Sequence, residues 1–216
     1  QTRIASFLTA ADQRINLLTQ QKKALEQYKK GVMQQLFSQQ LRFTDENGND
    51  FPKWEEKRLG EVATFRRGSF PQPYGLKKWY DDKNGTPFVQ VFDVDDNFKL
   101  KPSTKQKISE LAKPMSVFVQ EGSIVLTIQG SIGRIAITQY DSYVDRTLLI
   151  FQSLKCDIDK LFFTYIIFLL FEIEKEKAVG GTIKTITKEK LSDFKINLPS
   201  LAEQQKLAAE LENKVA

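Results

Sequence analysis

With 216 residues, 41% of them hydrophobic, the chain can build one packed domain and a long helix, and is too apolar to be disordered throughout. The lack of histidine removes the commonest general base and metal ligand, and the single cysteine, Cys156, excludes an intrachain disulfide and fits a reducing, cytoplasmic setting. Arg3, Arg14, Lys22, Lys23, Lys29, Lys30 and Arg42, set against Asp12 and Glu26, account for the whole net charge of +5, so any nucleic-acid surface beyond residue 42 must be a local basic patch.

The opening on Gln1 instead of Met reads as a piece of a longer protein. Ile4, Leu8, Ala11, Ile15, Leu18, Lys22, Leu25, Lys29, Val32 and Leu36 recur at spacings of four and three, and only the two lysines interrupt the apolar series. That 3.5-residue period predicts a coiled-coil seam. No proline falls in the stretch, and Gly31 is its one weak helix former, at a cost of ~1 kcal/mol. A helix of this length is a rod of roughly 50 Å, too long to bury its seam on a small domain, so it calls for a second helix. A single helix lying on a globular body is the plainer alternative.

Thr44–Asp50 is polar, holds the turn pair Asn47-Gly48, and should separate the helix from the globular segment. Leu59 and Val62 form the apolar side of a short helical turn. Phe65–Tyr80 reads as a loop with at most short strands. Thr86–Asp93 alternates as a strand does, and Phe98–Pro114 is irregular with a short helix near Ser109–Ala112. Ser116–Val119 and Ser123–Ile128 read as strands joined at Glu121-Gly122. Ile135–Thr138, Tyr143-Val144 and Leu148–Gln152 continue the β-rich core. Within the predicted helix Leu161–Lys177, the apolar run Leu161–Phe171 is far short of the about 20 residues that span a bilayer, so it reads as a buried helix and no membrane role is expected. A loop into a strand (Gly180–Thr187), a short helix (Lys188–Asp193), a closing strand (Phe194–Leu198) and a helix from Pro199 complete the chain. That last helix restarts the first: Gln204, Lys206, Leu207, Ala208 and Leu211 match Gln1, Arg3, Ile4, Ala5 and Leu8.

Four stretches could carry chemistry. Arg66, Arg67, Lys77 and Lys78 bracket Gln72, Tyr74 and Trp79, a mixture suited to phosphate oxygens and purine edges, with Gly68 and Gly75 allowing close backbone approach. An ordinary solvated loop has the same composition. Gln129-Gly130-Ser131-Ile132-Gly133-Arg134 is a tight turn between strands that either cradles a phosphate or simply closes a hairpin. Gly180–Thr185, with Lys184, reads equally as a phosphate contact or a helix cap. Asp93, Asp95 and Asp96 lack the glycine and glutamate of a calcium loop, and no metal site is expected. No nucleophile elbow, zinc pattern or deaminase signature occurs, so catalysis is not expected.

These stretches together resemble the specificity subunit of Type I restriction-modification enzymes. The resemblance covers essentially the whole chain. It rests on Lys29–Phe37 (KKGVMQQLF), Trp54 with Leu59-Gly60-Glu61, Arg67-Gly68, Gly130-Ser131-Ile132-Gly133, and above all Gly181-Thr182 through Leu198-Pro199-Ser200-Leu201-Ala202-Glu203-Gln204. It implies an α+β chain with a spacer helix (1–42), one β-rich target-recognition domain (43–198) and the start of a second long helix (199–216). It implies double-stranded DNA and methyltransferase subunits as partners, with methylation and ATP-driven cleavage in other subunits and no cofactor here. One recognition domain is present where such subunits carry two. The chain is therefore half of a two-domain subunit, which its opening favours, or a natural half that pairs with a copy of itself through antiparallel helices. The seam would be Ile4, Leu8, Ala11, Ile15, Leu18, Leu25, Val32 and Leu36. Phosphate contacts are expected from Arg66, Lys77, Lys78 and Lys184, with Ser131 and Thr185 as neutral donors. Base reading is expected from Arg67, Gln72, Tyr74, Gln129 and Arg134. The competing reading is a coiled-coil interaction scaffold with a β-rich cap and no base-specific binding.

Overall fold

The computed structural model of the chain describes residues 2–177 and 186–215. It divides into two compact units, Gln1–Asp50 with Ala209–Ala216, and Phe51–Ala208.

The first unit is dominated by helix α1 (Thr2–Phe37). Its apolar side chains are mostly in water: Ile4, Leu8, Ile15, Leu18 and Leu25 are exposed, Ala11 and Val32 half-buried, and only the final turns, at Met33, Leu36 and Phe37, are buried. The physical reason is length. The part of the last helix grouped with α1 is about two turns, and cannot cover a rod of about ten. A bridge between Thr44 and Asp50 closes the turn that contains Gly48, which has φ +82°.

The second unit begins and ends in one antiparallel ribbon, β1 (Glu55–Arg58) with β10 (Lys195–Leu198). Between them lie two four-stranded sheets. One has the order β2 (Ala63–Arg67), β9 (Leu148–Leu154), β6 (Ile124–Thr127), β7 (Ile135–Ile137), all antiparallel. The other has the order β4 (Gln106–Ile108), β3 (Thr86–Val89), β8 (Ser142–Val144), β5 (Val117–Val119), with β3 and β8 parallel. The facing sides share one apolar cluster, in which Val89, Val119 and Val144 meet Val125, Ala136, Leu148 and Ile150.

Each sheet is also covered on its outer face, which explains runs that do not alternate. Helix α3 (Lys160–Lys177) packs Phe163 on Phe151 (ring centroids 5.0 Å), so β9 buries Leu148–Phe151 on both sides. On the second sheet, Phe88 stacks on Phe70 (4.5 Å), and Trp79, Ile108 and Ala112 join them. The segment 68–80 is thus anchored by its own aromatic residues rather than solvated throughout.

One strand expectation changes at the end of β3. Val91–Asp93 leaves the strand for a 3-10 turn, because the Asp93 carboxylate accepts the Gln90 and Lys105 N–H groups (2.9 and 3.0 Å) and bends the chain. The strands expected on either side of Glu121-Gly122 both form, and they lie in different sheets. β5 joins β8 and β6 joins β7 and β9, since each has buried residues to place in a different sheet.

Short helices α2 (Leu59–Val62) and α4 (Lys188–Ser192) bury Leu59, Val62 and Leu191. Helix α5 (Leu201–Val215) starts at a buried polar knot. Gln204 Oε1 accepts the Asp159 N–H (2.9 Å), and its amide donates to the carbonyls of Pro199 (2.9 Å) and Asp157 (3.4 Å). Asp159 itself caps α3 by accepting the Phe162 N–H at 2.8 Å.

Candidate functional site

Three segments converge where β9 begins. Arg67 is paired with Leu149 at the end of β2, and Thr127 with Leu148 at the end of β6. The turn Asp145–Thr147 delivers the chain into β9. Ile128 N–H donates to Thr147 O (3.0 Å) and Gly68 N–H to Leu148 O (3.0 Å), which locks the three together. Between them opens a cleft of about 390 Å³ lined by Arg67, Gly68, Gln129 and Arg146. Two arginines, one carboxamide and no carboxylate line it, so it suits an electron-rich ligand.

The floor beside the cleft is a fixed network. Asp145 is 1% exposed. One of its oxygens accepts the Tyr74 hydroxyl, and the other accepts the Thr147 N–H (2.9 Å) and hydroxyl. Gln90 donates to the same Tyr74 oxygen at 3.4 Å. Burial, reinforced by Asp145, pushes the Tyr74 phenol well above the ordinary tyrosine range. Its ring packs on Phe70 (5.0 Å) and carries the Arg146 guanidinium at 5.3 Å. Arg67 Nε donates to Arg146 O at 3.1 Å, and Arg67 lines the cleft.

The expected residues distribute unevenly. Arg67, Gln129 and Tyr74 come together here. Arg66 precedes Arg67 on β2, so alternation turns it to the opposite face, where its Nε donates to Arg67 O at 3.3 Å. Gln72 accepts the Tyr74 N–H (3.3 Å), a turn contact. Lys77 and Lys78 are exposed on a 3-10 turn, Lys78 lying 4.3 Å over the Trp79 ring. Ser131 is exposed in the turn after β6, and Arg134 is engaged elsewhere: its Nε pairs with Asp96 (3.0 Å) and it reaches Val94 O at 3.4 Å. Lys184 and Thr185, with the Gly180–Thr185 loop, lie outside the described residues.

Two local readings are corrected. Gly68 permits close approach to the chain's own Val144 and Asp145 carbonyls rather than leaving open space for a ligand, since a Cβ would lie 2.2 and 2.3 Å from them. The turn after β6 is stitched inward. Gly133 N–H donates to Thr127 O, Ile132 N–H to Gly130 O, and Arg134 N–H to the Thr127 hydroxyl, each at 2.9 Å, so these amides do not form a phosphate cradle. The acids Asp93, Asp95 and Asp96 are taken by backbone N–H groups and Arg134, and burial raises the Asp93 carboxyl above its usual range. Among the described residues no group of three or more acids or cysteines could hold a metal ion, and no helix is long and apolar enough to cross a membrane.

Arg146 and its support, Asp145, Thr147 and Gln90, were not legible as a site. The one signal was a charged pair, Asp145-Arg146, in a turn between two apolar strands.

The family model for the Type I restriction modification DNA specificity domain matches residues 52–215. The type I restriction enzyme MjaX specificity subunit of Methanocaldococcus jannaschii is 28% identical, in an alignment covering 98% of this chain and 49% of that protein. The chain therefore spans about half the length of this curated relative. Among solved structures, the HsdS subunit from Thermoanaerobacter tengcongensis matches with a TM-score of 0.64 at 22% identity, over 99% of this chain and 49% of that one. The Type-I restriction-modification system S subunit from M. genitalium matches at 0.59 and 16%, over 98% and 53%. At these identities the structures establish a common fold.

Proposed function

The match over residues 52–215 places the chain in the Type I restriction modification DNA specificity family, and on that premise we propose that residues 43–198 are a target-recognition domain reading one half of a bipartite site in double-stranded DNA. The observation that supports this most is the carboxylate-free cleft, where Arg67, Gln129 and Arg146 converge. Guanidinium forks and carboxamides are the side chains that match purine edges in the major groove. Lys77, Lys78, Ser131, Lys184 and Thr185 supply phosphate contacts that fix register without reading sequence. Arg134 joins them only by giving up Asp96.

The exposed apolar row of α1 supports the second part of the proposal. It pairs, antiparallel, with a matching helix of a second recognition domain or of another copy of the chain. The basic flanks of the helix dock methyltransferase subunits, which carry the catalysis, while this chain is non-catalytic and holds no cofactor. The cytoplasm is where these partners meet. The same row also fits the scaffold reading, so base preference is what separates the two.

The test is selection from a randomised duplex library by this chain with its methyltransferase partner at moderate salt. A short enriched motif is expected. The same motif returned twice, inverted across a fixed gap, identifies pairing with a second copy. Retention without base preference removes the recognition assignment and leaves the scaffold.

A further inference from the structure

The β-rich unit has five arginines, at 58, 66, 67, 134 and 146. Arg58 pairs with Asp193 at 3.1 Å and Arg134 with Asp96 at 3.0 Å. Arg66 and Arg67 each donate Nε to a backbone carbonyl, at 3.3 and 3.1 Å. Arg146 is different. Among the described residues its guanidinium has no hydrogen bond or ion pair, only the Tyr74 ring beneath it at 5.3 Å. The carboxylate next to it in sequence, Asp145, is buried and already accepts from Tyr74 and Thr147. The fold therefore holds an exposed cation beside Arg67 whose donors are left to solvent or to a ligand in the cleft.

Phosphate oxygens and the O6/N7 edge of guanine both satisfy a guanidinium. Two features favour the base. Gln129 shares the cleft and adds no charge, but offers a donor and an acceptor, as an in-plane base edge requires. The support beneath Arg146 is also planar and fixed. The guanidinium carbon lies 5.3 Å over the centre of a flat ring, and a ring face on that side limits how the fork can tilt, which matters for a bidentate contact to a flat edge and little for a phosphate. The hydroxyl of that ring is tied to Asp145, whose own N–H donates to Val89 O at 3.0 Å on the neighbouring strand. The chain of support runs from sheet to carboxylate to phenol to guanidinium.

Resting on the DNA-reading function proposed above, we infer that Arg146, beside Arg67, reads a guanine in the half-site, and that Tyr74, tethered to buried Asp145, is the positioning residue that fixes the plane of the Arg146 fork.

The test uses the full chain with its methyltransferase partner. Binding is measured to the preferred duplex and to every single-base variant of the half-site, at two salt concentrations. Arg146→Ala should reduce discrimination for guanine at one position by about 10- to 100-fold and leave the other positions unchanged. Arg146→Lys keeps the charge and lacks the fork, so it should lose the same preference with an unchanged salt slope. Tyr74→Phe keeps the ring and removes the tether. It should give a smaller loss at that same position, with thermal unfolding measured alongside to show that the fold persists. Uniform weakening by Arg146→Ala with a salt slope lower by about 1 would make Arg146 a phosphate contact and overturn the inference. So would loss at an A·T position, or an unaltered preference. A wild-type protein with no base preference would overturn the proposed function as well. A preference that survives Arg146→Ala overturns this inference alone.

Discussion

Gly68 joins the cleft to the core, and changing it to alanine tests how tightly the two are coupled. A Cβ at this position would stand 2.2 Å from Val144 O, 2.3 Å from Asp145 O and 2.7 Å from Asp145 C. All three are backbone atoms, so no rotamer change relieves the overlap. The strand end must move away from the Asp145 turn. Overpacking of this kind costs about 1–3 kcal/mol. The movement also stretches two hydrogen bonds, Gly68 N–H to Leu148 O (3.0 Å) and Ser69 N–H to Val144 O (3.1 Å), each contributing about 1 kcal/mol. The sum is about 3–5 kcal/mol. For a chain of this size each kcal/mol moves Tm by about 2–4 °C, so Gly68→Ala should lower Tm by about 6–20 °C in a calorimetric scan. Two other glycines calibrate the argument. Gly75 has open space around it but φ +96°, so its alanine variant should cost about 1–2 kcal/mol through backbone strain alone. Gly31 is helical with nothing within 4 Å, so Gly31→Ala should stabilise α1 by ~1 kcal/mol. A Gly68→Ala protein melting within about 2 °C of wild type would refute the steric reasoning, since even the smallest estimate predicts more.

Leu18→Glu with Leu25→Glu should abolish pairing through α1, read by light scattering, and leave melting of the β-rich unit unchanged because both side chains are exposed. Gln204→Ala removes a buried side chain that makes three hydrogen bonds, and should cost about 1–3 kcal/mol in urea unfolding. Burial raises Tyr74 and pushes Tyr140 up to about 12. A raised folded pKa contributes stability that is complete below the unfolded tyrosine value of about 10 and is lost as pH rises beyond it. Wild type should therefore lose stability between pH 10 and about 12, and Tyr74→Phe and Tyr140→Phe should each lose less over that range.

Helical period and apolar runs were enough to place α1 and α3 and most of the strands, because those signals are local. Which strands share a sheet was not local. Val119 and Ile124 flank one short turn, yet belong to different sheets, and only the shared cluster between the sheets decides that. The site follows the same division. Arg67 and Gln129 were visible as polar residues beside glycines. Arg146 was not, because what distinguishes it is the absence of a partner among the described residues, and that depends on Asp145 being turned away to Tyr74. Conversely, Arg134 looked available in sequence and proved to be held by Asp96, which is 38 residues away in the chain.

The ribbon that closes the β-rich unit also determines how it responds to tension. Glu55 lies opposite Leu198 and Arg58 opposite Lys195, so the unit's first and last strands are partners in one antiparallel pair. A pull applied at Glu55 and Leu198 loads the hydrogen bonds singly, from that pair inward, as in unzipping rather than shearing. Loading of this kind should part the ribbon before the two four-stranded sheets bear load. A unit tethered in this way should give at its base before the sheets that mount Arg67, Gln129 and Arg146 are disturbed.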